Sequence, residues 1–161
     1  MIKDRDRRAP TAAEREAHKI FKSVKAKEAM TDYAKAENLD VMGTVRAWAA
    51  VGVAPRDTGL GAVKVIGKVL QRAGLSVDDV ALWEINEAFA SVPIAACREY
   101  GIDEEKVNFS GSGCSLGHPI AASGARMVTT LTYELARRGG GIGVAAMCAG
   151  GGQGGAVVIE V

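Results

Sequence analysis

Residues 139–159 run for twenty-one positions without a charged side chain, and nine of them are glycine. The stretch is long enough to cross a bilayer as a helix. Each glycine, however, costs a helix interior about 1 kcal/mol relative to alanine, and GGGQGG at 150–155 interrupts the run in its middle. The segment therefore reads as two short apolar strands, IGVAAMC and GAVVIEV, folded back on each other through a glycine turn. A turn that short makes the pair antiparallel.

Upstream, apolar runs alternate with segments of helical period. VMGTVRAWAAVGV is β-branched and small, ending at the turn signal Pro55-Arg56-Asp57. KVIGKVLQRAG repeats apolar positions at helical spacing and stops at Gly74. VALWEI reads as a buried strand, ASVPIAACREYG as a helix and VNFS as another strand. A helix opened by Pro119 then runs to Arg138, with Arg137 and Arg138 at its negative end. The order is βαβαβαββ, which predicts an α/β fold: a five-stranded mixed, mostly parallel sheet covered by helices on both faces.

Residues 1–40 differ, holding eighteen of the thirty-nine Asp, Glu, Lys and Arg residues. Thr11 and Glu14 are spaced as a capping box, and Ala17, Ile20, Phe21 and Val24 share one face of the helix that would follow. The chain thus divides into a charged helical segment, 1–40, and an α/β domain, 41–161. A net charge of +1 gives no electrostatic footprint for nucleic acid or for an anionic membrane surface. Three cysteines without zinc-knuckle spacing read as reduced thiols of a cytoplasmic protein, and MIKDRDRRAP lacks the apolar core of a signal peptide.

In sheets of this kind, chemistry gathers at the carboxyl ends of the strands, where three motifs fall. In WEINEAFA, Asn86 follows a strand and precedes a helix, with Glu87 in the first turn; its amide either holds a water or carbonyl in a cleft or caps the helix. In SLGHPIAASGAR, His118 stands between Gly117 and Pro119 at a helix start, whose positive end biases an imidazole toward the neutral form. In AAMCAGGGQGG, Cys148 precedes glycines whose N–H groups can stabilise an oxyanion; it is either an acid/base thiol or a small core residue. A metal held by Cys114, His118 and Cys148 lacks a fourth ligand at recognisable spacing, so no metal is expected.

Taken together, these segments resemble the C-terminal half of the thiolase family, the acyl-CoA C-acyltransferases. Asn86-Glu87-Ala88-Phe89 is similar to that family's NEAF segment, Gly117-His118-Pro119 to its GHP segment and Cys148-Ala149-Gly150 to its CxG segment, over about residues 41–161. Ala121 departs from the glycine common after GHP. The resemblance implies acyl transfer to or from coenzyme A by Claisen condensation or thiolysis, with the coenzyme A thioester as substrate and no permanently bound cofactor. It gives Cys148 acid/base work at the α-carbon and His118 activation of a nucleophilic cysteine. With a water held by Asn86, His118 would also stabilise the thioester oxygen; the Gly150 N–H would serve a second oxyanion hole. It implies no coenzyme A contacts that can be carried over to named residues.

The family's acyl-carrying cysteine belongs to an N-terminal half built on the same fold. Neither Cys97 nor Cys114 matches it, and both read as structural. Three expectations follow: a partner, either that half or a separate subunit, supplies the nucleophile; uncovered apolar surface drives homo-oligomerisation; and Asn86, His118 and Cys148 gather around one small cavity. The alternative is a non-catalytic scaffold or regulatory module of the same fold.

Overall fold

A computed structural model describes residues 32–161. The chain divides into two compact units, Met1–Val41 and Met42–Val161. In the first, residues 32–36 are helical; the helix expected from Thr11 lies outside the described residues. The second unit carries every motif.

Its sheet is built from β1 (Thr44–Gly52), β2 (Leu82–Ile85), β3 (Ile142–Ala149) and β4 (Gln153–Glu160), in the order β1-β4-β3-β2. β2 pairs parallel with β3, while β4 is antiparallel to both β3 and β1. Three strands therefore run one way, as the alternating pattern predicts, and β4 is inserted against them between β1 and β3. The uncharged run 139–159 forms the β3–β4 hairpin, with Ala149 opposite Gln153. Among the described residues no helix is long and apolar enough to cross a membrane.

The fifth strand is reduced to one parallel bridge, between Val107 and Trp83. Asn108 explains why. Its backbone takes a positive φ of 52°, which turns the chain off the ladder, and its side chain takes over the pairing. Nδ2 donates to the Ile85 carbonyl at 2.9 Å and Oδ1 accepts from the Ile85 N–H at 2.8 Å. An amide side chain thus finishes the outer edge of β2 and satisfies the backbone groups of its last residue.

Helices cover both faces. The first, α1 (Leu60–Ala73), ends at Gly74 in the left-handed conformation, the stop read from the sequence, and packs against β4, β1 and β3 beside α2 (Ser91–Tyr100). Strand alternation sends Trp83, Ile85, Val144, Ala146, Cys148 and Val158 to this side, into the larger core with Val65, Ile66 and Val92. Leu82, Ala145 and Ile159 point the opposite way, into a second cluster with Met127, Leu131 and Leu135 of a later helix, Ser123–Arg137. The contact between α1 and β4 is backbone to backbone. A methyl group on Gly61 would strike the Gln153 carbonyl, and one on Gly154 would strike the Gly61 carbonyl.

Candidate active site

A parallel crossover brings its helix to the sheet from the carboxyl ends of the strands. The segment between β2 and β3 accordingly crosses that rim. It includes a one-turn helix, α3 (Gly113–Leu116), before α4 (Ser123–Arg137) begins. The three motifs reach this rim from the end of β2, from the loop between α3 and α4, and from the end of β3.

Asn86 continues β2 by one ladder bond, its N–H donating to the Ala146 carbonyl at 2.9 Å. Its side chain is 0% exposed, yet neither Oδ1 nor Nδ2 has a hydrogen-bond partner. Burying an amide without partners costs about 1–3 kcal/mol. Asn86 does not cap the following helix, which starts at Ser91 with Ala90 as its cap. Glu87 correspondingly lies ahead of that helix and not in its first turn. Its carboxylate accepts from the Cys114 N–H at 2.9 Å and from Asn108 Nδ2 at 3.4 Å, tying α3 to the end of β2. The two segments are close: a methyl group at Gly113 would lie 2.8 Å from the Glu87 carbonyl oxygen and 3.4 Å from Asn86 Oδ1.

His118 lies on the loop and is exposed. The helix does not start at Pro119. Ala122 and Ser123 both donate N–H bonds to the Pro119 carbonyl, at 2.8 and 3.1 Å, so Pro119 opens a turn and α4 begins only at Ser123. His118 therefore does not directly precede the first helical residue, as the Gly-His-Pro spacing suggests, and meets the helix through a side chain. Its Nδ1 is 2.6 Å from Ser123 Oγ, and Ser123 Oγ is 3.3 Å from the Pro119 carbonyl. If that hydroxyl proton goes to the carbonyl, Nδ1–H donates to Ser123 and Nε2 is left as the free acceptor. Nothing in the sequence points to Ser123, because an i to i+5 contact across a turn leaves no periodic signal.

Cys148 is buried at 6% exposure in the core shared with α1 and α2, and burial pushes its thiol pKa up. Gly150 is exposed in the turn after β3, its N–H without a partner among the described residues. Gly151 and Gly152 take positive φ of 84° and 83°, and the Gly152 carbonyl accepts from Val53 N–H at 2.6 Å, fastening the turn to the end of β1. Cys97 is buried in α2; Cys114 is exposed.

The rim thus carries all four predicted residues, but among the described residues no hydrogen bond joins Asn86, His118 and Cys148. Nor do they line either of two surface concavities. One, of about 220 Å³, is bordered by Glu87, Ile94, Cys97, Glu104 and Asn108. The other, of about 270 Å³, lies between α4 and the sheet beside Met127, Met147 and Val157. The expected shared cavity has no counterpart in either. Among the described residues no cluster of three or more His, Cys, Asp or Glu side chains forms a metal site.

Sequence and structure comparisons agree on ancestry. The family model described as "Thiolase, C-terminal domain" matches residues 39–161. The 3-ketoacyl-CoA thiolase of Bacillus subtilis is 44% identical over 134 residues, which is 82% of this chain and 34% of that protein. The cytosolic acetyl-CoA acetyltransferase of Mus musculus is 44% identical over 122 residues, 76% of this chain and 31% of that protein. A crystal structure of human mitochondrial 3-ketoacyl-CoA thiolase in complex with CoA superposes with a TM-score of 0.77 at 40% identity, covering 80% of this chain and 33% of that one. The chain spans about a third of the length of these relatives. With the family match extending over most of its residues and the βαβ rim carrying each motif in order, the chain belongs to the thiolase family, as its C-terminal domain.

Proposed function

We propose that this chain is the C-terminal part of an acyltransferase that makes or cleaves 3-ketoacyl-CoA by Claisen condensation or thiolysis, with a nucleophilic cysteine contributed by a partner half. The observation that carries the reading is the buried, unpartnered amide of Asn86 at the carboxyl end of β2. A group so costly to leave unsatisfied suits a bound water or a thioester oxygen.

The proposed roles are those the family resemblance implies, with local geometry as support. With Nδ1 engaged by Ser123, His118 has Nε2 to accept a proton from a nucleophilic thiol and afterwards to donate toward the thioester oxygen, together with a water on Asn86. Burial raises the Cys148 thiol, so its form near neutral pH is the protonated one, suited to returning a proton to a carbanion at the α-carbon. In the condensation direction Cys148 first gives that proton to the coenzyme A thiolate expelled as the nucleophilic cysteine is acylated, and then, as thiolate, takes one from the α-carbon of the second thioester. The unpartnered Gly150 N–H is available to a developing oxyanion.

The substrate is a coenzyme A thioester, by analogy with relatives named for acyl-CoA chemistry. The proposed partner is a thiolase N-terminal half or a separate subunit bearing the nucleophile, within a homo-oligomer. Exposed Phe89, Leu116 and Ile120 beside the rim supply apolar surface for such contacts. A cytoplasmic location belongs to the same proposal, supported by three free thiols.

The burial of Cys148, together with the absence among the described residues of a hydrogen bond between it and His118, favours a second reading, a non-catalytic scaffold of the same fold. Mixing this chain with a separately produced nucleophile-bearing half and following acetoacetyl-CoA thiolysis separates the two. The catalytic reading expects no rate from the chain alone, a rate on mixing and its loss with His118→Ala; a mixture that associates yet stays silent supports the scaffold.

A further inference from the structure

The face of β2 toward α4 carries a charged group that acyl transfer leaves unused. Glu84, on β2 two residues before Asn86, is 0% exposed and pairs with Arg126 on the first turn of α4, whose side chain is 25% exposed. One carboxylate oxygen, Oε2, takes the guanidinium; Oε1 has no partner. Replacing a buried ion pair of this kind by apolar residues is often neutral or stabilising, so stability alone gives little reason for it. A second contact suggests what the pair does. Arg126 Nη2 also reaches Ser112 Oγ at 3.4 Å, and Ser112 is the buried cap of α3, with its side chain and that of Ser115 forming a reciprocal capping box.

Arg126 therefore touches three segments at once. One is the strand that leads into Asn86, one is the cap of the helix that precedes His118, and the third is its own helix, whose first residue, Ser123, holds His118 Nδ1. Between these anchors the exposed loop bearing His118 is held by backbone bonds from Gly117 N–H to the Gly113 carbonyl and from Ala122 and Ser123 N–H to the Pro119 carbonyl. We infer that Arg126 is a positioning residue: its guanidinium, held by Glu84 and by Ser112 Oγ, fixes the loop that carries His118 against the end of β2 that carries Asn86. The inference rests on the acyltransferase reading only for the consequence in catalysis; the positioning itself is a property of this chain.

The test uses the full chain with its imidazoles labelled with nitrogen-15, His118 being assigned against a His18→Asn sample. The Glu84→Leu/Arg126→Met double substitution removes both charges together, so no buried ion is left alone. Positioning by Arg126 predicts a double variant that melts at or above the wild-type temperature, with a several-fold change in the ratio of the two neutral His118 tautomers and broadened ring signals. An unchanged tautomer ratio and linewidth in the folded double variant overturn the inference. If the double variant does not fold, the isosteric Glu84→Gln substitution carries the same measurement with the same two outcomes. In the mixed, nucleophile-bearing assembly the second readout is a several-fold fall in kcat at unchanged KM. Silence of the wild-type assembly there counts against the acyltransferase reading, while the imidazole signals still decide the positioning.

Discussion

The hydroxyl of Tyr100, at the end of α2, donates to the carbonyl of Val63 in α1 at 2.9 Å, and it accepts from the N–H of Gly67 at 3.2 Å. Val63 and Gly67 are four apart, the two groups that an α-helix pairs with each other. One phenol thus docks into the hydrogen-bond ladder of the neighbouring helix, at a glycine where any side chain would meet the ring: a methyl group on Gly67 would sit 2.8 Å from that oxygen. Tyr100→Phe is expected to lower stability by about 1 kcal/mol, the usual net value of such a bond. Denaturant unfolding, read as a shift in midpoint at unchanged slope, checks it.

Asn108 closes the edge of β2 through both backbone groups of Ile85. Asn108→Gly keeps the positive φ available while deleting the amide, and with it both bonds to Ile85 and the weaker 3.4 Å one to Glu87. The expected cost is about 1–3 kcal/mol from the unsatisfied groups. Amide hydrogen exchange at Ile85 should speed up more than at Val144 in β3. Equal protection at both would mean that the side chain does not hold the edge.

These two side chains also mark the limits of what the sequence discloses. The stop of α1 at Gly74 and the burial of LWEI in β2 are legible because glycine and unbroken apolar runs act locally. VNFS looks like a strand because its residue types suit one; nothing in four letters reveals that Asn108 would spend its side chain on the ladder. The same holds at Pro119, where Pro at a helix start is a sound local inference but the turn accepting at its carbonyl delays α4 to Ser123. Asn86, His118, Cys148 and Gly150 are legible as a set only through their motifs. That Cys148 faces α1 while Glu84 meets α4 depends on strand alternation and register, which emerge once β2 and β3 pair.

Burial holds the Glu84 carboxyl above the ordinary range, against the pull of Arg126. The folded state therefore binds that proton more tightly than the unfolded chain does. Stability contributed by this group is present in acid, below the unfolded value, and is lost as pH rises through the raised folded value. Glu134 acts in the opposite sense, its pKa lowered by hydrogen bonds from Arg138 and Arg137, so only a difference experiment isolates Glu84. Unfolding midpoints for Glu84→Gln minus wild type, measured from acid to neutral pH, are expected to rise with pH; a flat difference contradicts the assignment.

Thiol reactivity should follow exposure. Cys114 is exposed, whereas Cys97 and Cys148 are buried, and burial raises both buried thiols. Desolvation and the Glu87 carboxylate raise Cys114 as well, so its labelling should be slow for a surface cysteine and yet the fastest of the three. Peptide mapping after limited alkylation near neutral pH gives the order. Early modification of Cys148 would mean that the end of β3 opens readily.

Gly61 and Gly154 meet main chain to main chain, more than ninety positions apart in sequence, with no room for a methyl group on either. Where side chains separate two elements they can re-pack and absorb a shift; here there is no such cushion. The start of α1 and the segment just after the glycine turn are thus in direct main-chain contact, with nothing between them to yield. Any displacement of the glycine turn would therefore bear directly on the first turn of the fourteen-residue α1.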